Sequence, residues 1–193
     1  MIADDPGLAD FNKLPADRAV RELRTCCASA AWTAAMVAGR PYPNRNALLA
    51  KADEVLAALD WAGVREALDA HPRIGERADG GGREAAWSRG EQSGMDAANE
   101  DVRADLVTAN RAYEERFGHV FLIFATGRTD TDMLAAARER LGNSDEKERD
   151  VVRGELRRIV ALRLTKLLNT AGPAGTTGPT GTTGPTGTTE ASR

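Results

Sequence analysis

The residue types best suited to chemistry in this chain are an arginine, a histidine and a glutamate in unusual sequence contexts. Arg163 lies on the apolar stripe of the last predicted helix, about 20° from Val152 when each residue turns the helix by about 100°. A buried guanidinium without a partner costs several kcal/mol. Arg163 therefore extends to solvent, pairs with an internal carboxylate, or binds an anionic ligand in a pocket.

His71 stands at the end of a predicted helix, and Pro72 disfavours the helical conformation at the position before it. Imidazole is the side chain that titrates near neutral pH. At a helix C-terminus it can also serve only as a cation that interacts with the helix dipole. The sequence alone leaves both interpretations open.

Ser88 and Glu91 have the spacing of a capping box, in which the two side chains bond each other's backbone N–H groups at a helix start. Gly90 and Gly94 disfavour a helix at this point. Glu91 and Gln92 then lie in an irregular stretch rich in polar groups.

Composition argues against several classes of partner. The 193 residues include 26 Lys and Arg against 29 Asp and Glu, a net charge of -3 that does not favour nucleic acid. The longest apolar run, residues 120–125, is far too short to span a membrane, and the acidic N-terminus does not resemble a signal peptide. We therefore expect a cytoplasmic protein. Cys26 and Cys27 are expected to be reduced, and no metal-ligand spacing occurs.

Apolar residues recur at helical spacing along almost the whole chain. The pattern predicts an all-α fold, a single domain of about eight helices over residues 1–170. Residues 120–125 (VFLIFA) are expected to lie extended and buried between helices, since a lone strand has no backbone partner. Helix starts are predicted at or near Asp17, Ser29, Asn46, Asp60, Asn99, Asp130 and Ser144.

Residues 171–193 are rich in Gly, Pro and Thr. From Gly172 onward glycine returns at every third position, which is the period of collagen. Six such triplets are few for a triple helix, so we predict a disordered tail, with trimerisation as the alternative.

Taken together, several motifs resemble the family of 2-oxo-4-hydroxy-4-carboxy-5-ureidoimidazoline (OHCU) decarboxylases, which act in urate degradation. The similarity covers about residues 8–168 and omits the tail. The motifs are HPRIGE at 71–76, SRGEQSG at 88–94, YEERFG at 113–118 with FLIFATGR at 121–128, and EL at 155–156 with RL at 163–164.

This resemblance implies a homodimeric enzyme that needs no cofactor or metal and converts OHCU to (S)-allantoin and carbon dioxide. It implies that His71, Glu91 and Arg163 are catalytic, with His71 as general acid or base and Arg163 bound to an anionic oxygen. The substrate ring can itself delocalise the electron pair left by carbon dioxide. The implied substrate-binding residues are Pro72, Ser88, Gln92, Phe121, Leu122, Ile123, Phe124 and Ala125.

Two alternatives belong to other functional classes. A catalytically silent all-α binding or scaffold protein would show the same periodicities, but its His71, Glu91 and Arg163 would not converge on one cavity. A helix-turn-helix regulator is disfavoured by the acidic charge balance and by the lack of a basic recognition helix.

Overall fold

The computed structural model describes residues 5–74, 86–87, 90–91 and 100–170. These ranges contain no β-strand, which confirms the predicted all-α fold. The Gly-X-Y tail, residues 171–193, and the predicted site residues Ser88 and Gln92 lie outside them. The long helices are α1 (Pro6–Lys13), α2 (Ala16–Arg24), α3 (Ala30–Ala38), α4 (Arg45–Ala58), α5 (Trp61–Asp69), α6 (Glu100–Phe117), α7 (Asp130–Arg140) and α8 (Asp145–Thr170).

Side-chain caps explain where several helices begin. Ser29 and Asp60 accept hydrogen bonds from backbone N–H groups three residues ahead, at 3.4 and 2.8 Å, and so cap α3 and α5 as predicted. Ser144 stands before α8 and accepts from the N–H of Lys147 at 3.3 Å. These boundaries follow from the sequence because a cap is a local interaction.

Two predicted helix starts are wrong by one or two residues. Asn44, not Asn46, caps α4 through the N–H of Ala47 at 2.9 Å. Helix α2 begins after Pro15, so Asp17 lies inside its first turn. There the Asp17 carboxylate accepts a hydrogen bond from Arg21 instead of capping the helix.

Helix α1 was not predicted from the apolar period. Asp5 caps it by accepting from the N–H of Leu8 at 3.1 Å, and Pro6 occupies its first turn. Gly7 permits its close approach to α8, since a Cβ at this position would lie 1.8 Å from the carbonyl oxygen of Leu168. Helix α1 thus depends on a tertiary contact as well as on its cap.

Two hydrophobic clusters form the core of the described part of the chain. The first gathers the apolar faces of α1 to α5 on α8, and the second lies between α6 and α7. Residues 120–125 run between them: Leu122 is buried in the first cluster, with Val120 and Phe124 packed against it, whereas the side chains of 121, 123 and 125 enter the second. Because alternate side chains face opposite clusters, this segment is extended, as expected.

Helix α8 is 26 residues long and carries the apolar stripe identified in the sequence, with Arg163 buried within it. None of the helices in the described part of the chain combines the length and apolar character needed to cross a membrane.

Candidate functional site

A cavity lies where the end of α5, the extended segment and the middle of α8 meet. Every predicted site residue that the structure describes lines it, together with three residues that were not predicted. About 380 Å³ of its space is unfilled by atoms, part of it open to solvent. The lining residues are His71, Pro72, Ile74, Glu91, Phe121, Leu122, Ile123, Phe124, Ala125, Thr126, Ile159 and Arg163.

The three residues missed by the sequence reasoning are Ile74, Thr126 and Ile159. Ile159 precedes Arg163 by four residues on α8, so the i, i+4 rule would have placed it on the same face. Ile74 belongs to the HPRIGE motif, and Thr126 directly follows the extended segment.

The backbone at the end of α5 orients His71. Its N–H donates to the carbonyl of Leu68 at 2.9 Å, and its ring Nδ1–H donates to the carbonyl of Ala67 at 2.8 Å. A carbonyl only accepts, so Nδ1 carries the proton and, in the neutral ring, Nε2 carries a lone pair. Nε2 is buried and has no hydrogen-bond partner among the described residues.

Burial lowers the pKa of His71 from 6.5 to about 4, and the positive charge of Arg163 acts in the same direction. The hydrogen bond to Ala67 and the charge of Glu91 oppose this pKa shift only in part. His71 is therefore neutral at neutral pH. Its interpretation as a cation that interacts with the helix dipole is wrong for the free protein.

Arg163 is 1% exposed and forms a two-point ion pair with Glu91. Its Nη2 lies 3.0 Å from Oε2 of Glu91, and its Nε lies 3.3 Å from Oε1. The internal ion pair that the sequence left open is thus present. It lies in the cavity wall.

Lys166 adds a second cation to this pair, a contact that sequence reasoning missed. Its Nζ lies 3.1 Å from Oε1 of Glu91. Lys166 follows Arg163 by three residues on α8, so the two share a helix face. Among the described residues, this group therefore holds two cations and one carboxylate.

Two side chains hold one edge of the extended segment. The carbonyl of Leu122 accepts from Nη1 of Arg140 at 2.8 Å, and the N–H of Phe124 donates to Oε2 of Glu155 at 2.7 Å. No other part of the described chain forms a ladder with this segment. Its backbone is therefore satisfied by side chains on that edge.

The cavity thus combines three chemical groups: an unprotonated imidazole nitrogen, the guanidinium of Arg163 and main-chain amide groups. Together these can bind a polar anion and transfer a proton to or from it. Within the described ranges, no three His, Cys, Asp or Glu side chains are grouped closely enough to ligate a metal ion.

Comparison with known proteins agrees with the resemblance that the sequence motifs indicate. Residues 12–165 match the family model described as OHCU decarboxylase. The chain is 34% identical over 137 residues to 2-oxo-4-hydroxy-4-carboxy-5-ureidoimidazoline decarboxylase of Amia calva, covering 70% of this chain and 78% of that protein.

A longer relative and a solved structure are also similar. The uric acid degradation bifunctional protein TTL of Arabidopsis thaliana is 30% identical over 154 residues, which are 77% of this chain and 47% of that protein. A crystal structure of OHCU decarboxylase in the presence of (S)-allantoin superposes with a TM-score of 0.67 at 27% identity. It covers 77% of this chain and 97% of the other.

Proposed function

The chain belongs to the OHCU decarboxylase family, and from that premise we propose that it converts OHCU to (S)-allantoin and carbon dioxide in urate degradation. One observation carries the proposal. His71, Glu91 and Arg163 converge on one cavity, where Nε2 of His71, which has no hydrogen-bond partner among the described residues, shares the wall with the guanidinium of Arg163. A silent scaffold protein has no need for this convergence, so that alternative is not favoured.

Arg163 is the group that binds the anionic substrate in this proposal. Its guanidinium can engage a carboxylate or ring oxygen through two donors. In the free protein, Glu91 occupies donors of Arg163. When a substrate oxygen displaces Glu91 from one of these donors, Glu91 remains paired with Lys166. The negative charge of its carboxylate is then still partly compensated.

His71 carries the proton. When carbon dioxide leaves, its bonding electrons remain on the ring, and the hydroxyl on the same carbon becomes a carbonyl by losing its proton. Nε2 of His71 accepts that proton and returns it to the neighbouring carbon, which bears the ureido group. Water supplies the further proton that the ring nitrogen takes up. Delivery from one side gives the (S) product.

Glu91 orients the substrate and does not carry that proton. Its two oxygens already accept hydrogen bonds from Arg163 and Lys166. By contrast, Nε2 of His71 has a free lone pair among the described groups. Main-chain groups of residues 121–125 face the amide-like ring and ureido groups in this proposal.

We propose further that the enzyme is a cytoplasmic homodimer that needs neither a metal nor an organic cofactor. The family resemblance supports the dimer, and the substrate's own electron sink supports the absence of a cofactor. Sedimentation of the purified protein should give twice the chain mass. Activity lost on exhaustive chelation and restored by a divalent ion would contradict cofactor independence.

The proposed reaction is tested by generating OHCU in place. Urate is mixed with urate oxidase and hydroxyisourate hydrolase, the protein is added, and circular dichroism follows the chiral signal of (S)-allantoin. We expect the signal to appear faster than spontaneous decay of OHCU allows. A rate equal to that of the protein-free mixture would refute the activity.

A further inference from the structure

The extended segment presents two different backbone edges. In an extended chain, the N–H and C=O groups of one residue point to the same side, and those of its neighbours point to the other. Leu122 and Phe124 therefore share an edge, which is the one bonded to Arg140 and Glu155. Ile123 belongs to the opposite edge.

At Ile123 that opposite edge is buried and has no hydrogen-bond partner among the described residues, whereas its Ala125 carbonyl accepts from the N–H of Arg128 at 3.0 Å. Ile123 is 3% exposed, and its main-chain groups have no hydrogen bond to any other described residue. Buried backbone groups are normally satisfied, by protein, water or ligand. Ile123 lines the cavity, whereas Arg140 and Glu155 do not, so the partners of the bonded edge lie outside the cavity lining.

A buried network holds Arg140 in place. Its Nε donates to Glu148 Oε1 at 2.8 Å, and Glu148 is completely buried. Glu148 also accepts from the hydroxyl of Tyr113 and from Nδ2 of Asn143 at 2.7 Å. The Arg140 guanidinium lies 4.5 Å from the ring centroid of Phe121, so it contacts the segment at two successive residues.

Glu155, on α8, holds the extended segment at Phe124. One carboxylate oxygen accepts from the N–H of Phe124, and the second accepts from Arg158 at 3.4 Å. Glu155 lies two turns before Arg163 on the same helix. The helix that presents the guanidinium to the cavity therefore also sets the position of the backbone that faces it.

We propose that Arg140 and Glu155 are positioning residues that clamp the outer edge of residues 121–125, so that the inner edge is held in register for the substrate. The clamp rests on the proposed function. It acts through the backbone and places neither residue against the reacting atoms. Loss of the clamp should therefore weaken substrate binding and orientation more than it weakens the fold.

Glu155 provides the cleaner test because it is not part of the buried Glu148 network. Glu155→Leu removes the acceptor, whereas Glu155→Gln keeps an oxygen at the same reach. Asp150→Leu is the matched control, since Asp150 is an exposed carboxylate on the same helix. Three quantities are measured: the hydrogen exchange of the Phe124 amide, kcat and KM for OHCU, and the melting temperature.

We expect Glu155→Leu to exchange the Phe124 amide at least tenfold faster and to lower kcat/KM at least tenfold, mainly through KM. Glu155→Gln should stay within about threefold of the wild type in both, and the melting temperature of Glu155→Leu should match that of Asp150→Leu within a few degrees. Arg140→Lys, which retains the charge beside Glu148, should also lower kcat/KM.

Unchanged exchange at Phe124 in Glu155→Leu would overturn the clamp. Faster exchange with unaltered kcat/KM would show that the clamp is only structural and would overturn the positioning role. A wild-type protein without decarboxylase activity would refute the proposed function separately. The exchange rate at Phe124 needs no substrate, so it would still decide whether Glu155 holds the segment.

Discussion

Two buried arginine–glutamate pairs lie close to the extended segment, and they differ in their surroundings. Arg140 and Glu148 have side chains 8% and 1% exposed, and their neighbours Tyr113, Asn143 and the Leu122 carbonyl complete the hydrogen bonding. Arg163 and Glu91 are nearly as buried, at 2% and 9%. This second pair, however, forms part of a cavity wall.

The charge balance also differs between the two pairs. Arg140 and Glu148 match one cation to one anion in a closed network. At the cavity, Arg163 and Lys166 share the single carboxylate of Glu91, and the neighbouring His71 is neutral. The closed pair, Arg140 and Glu148, thus holds the backbone, whereas the open pair, Arg163 and Glu91, lines the cavity with a second cation, Lys166, beside it.

The largest effect on stability is expected when the closed pair, Arg140 and Glu148, is broken. Arg140→Met leaves Glu148 charged and buried without its cation, so the free energy of unfolding should fall by about 3 to 5 kcal/mol. Urea denaturation measures it. Arg138→Met is the matched control on α7, because its ion pair with Asp105 is exposed and is worth less than about 1 kcal/mol. Equal midpoints for the two variants would contradict the account of the closed pair.

Acid should destabilise the folded protein through His71, which lines the same cavity as the open pair. Its pKa is about 4 in the folded protein and 6.5 when unfolded, so the unfolded chain binds more protons between these values. The His71 contribution to stability is present above pH 6.5 and is lost as pH falls, by about 2 to 3 kcal/mol between pH 7 and 4.5. Urea midpoints at both pH values, for the wild type and His71→Asn, should reveal the difference. Parallel pH dependence in the two proteins would exclude His71 as its source.

His71→Asn tests the chemistry of the same residue. The asparagine amide can still donate to the Ala67 carbonyl. The variant has no counterpart of Nε2, so the lone pair that accepts the proton is lost. We expect kcat to fall at least about 100-fold, or about 2.7 kcal/mol, with little change in stability at pH 7. Turnover in the coupled allantoin assay measures this loss. A variant with near-normal turnover would reduce His71 to a structural role.

Arg163→Lys tests whether the geometry of the guanidinium in the open pair matters for catalysis. Lysine keeps the charge beside Glu91 but loses the planar, two-donor fork, so kcat/KM should fall about tenfold. Stability should fall much less than in Arg140→Met, because the lysine ammonium and Lys166 both continue to compensate Glu91. Steady-state kinetics and urea denaturation provide both values. A fully active but strongly destabilised Arg163→Lys protein would assign Arg163 to the fold alone.

Deletion of residues 172–193 should have the smallest effect. Their Gly, Pro and Thr composition buries little apolar surface, so activity and melting temperature should remain nearly unchanged. The full-length chain is the control, with both proteins examined by sedimentation. A loss of several degrees, or a change in oligomeric state, would show that the triplets associate.

The sequence predicts those features of this molecule that depend on local interactions or on family motifs. Caps such as Ser29 and Asp60 act within three residues, and the uninterrupted apolar run of 120–125 predicts a buried, strand-like segment. The contacts of Glu91 with Arg163 and Lys166 span 72 and 75 residues, so no local pattern contains them. The same is true of the lowered pKa of His71, because burial is a tertiary property.

The central claim is that the cavity around Nε2 of His71 binds the substrate. A crystal structure of the protein soaked with (S)-allantoin tests it most directly. We predict the ligand in this cavity, with Nε2 of His71 and the guanidinium of Arg163 within hydrogen-bond distance of it and the Ile123 main chain bonded to its ring or ureido group. Allantoin bound elsewhere, or bound here without contact to His71, would contradict the account.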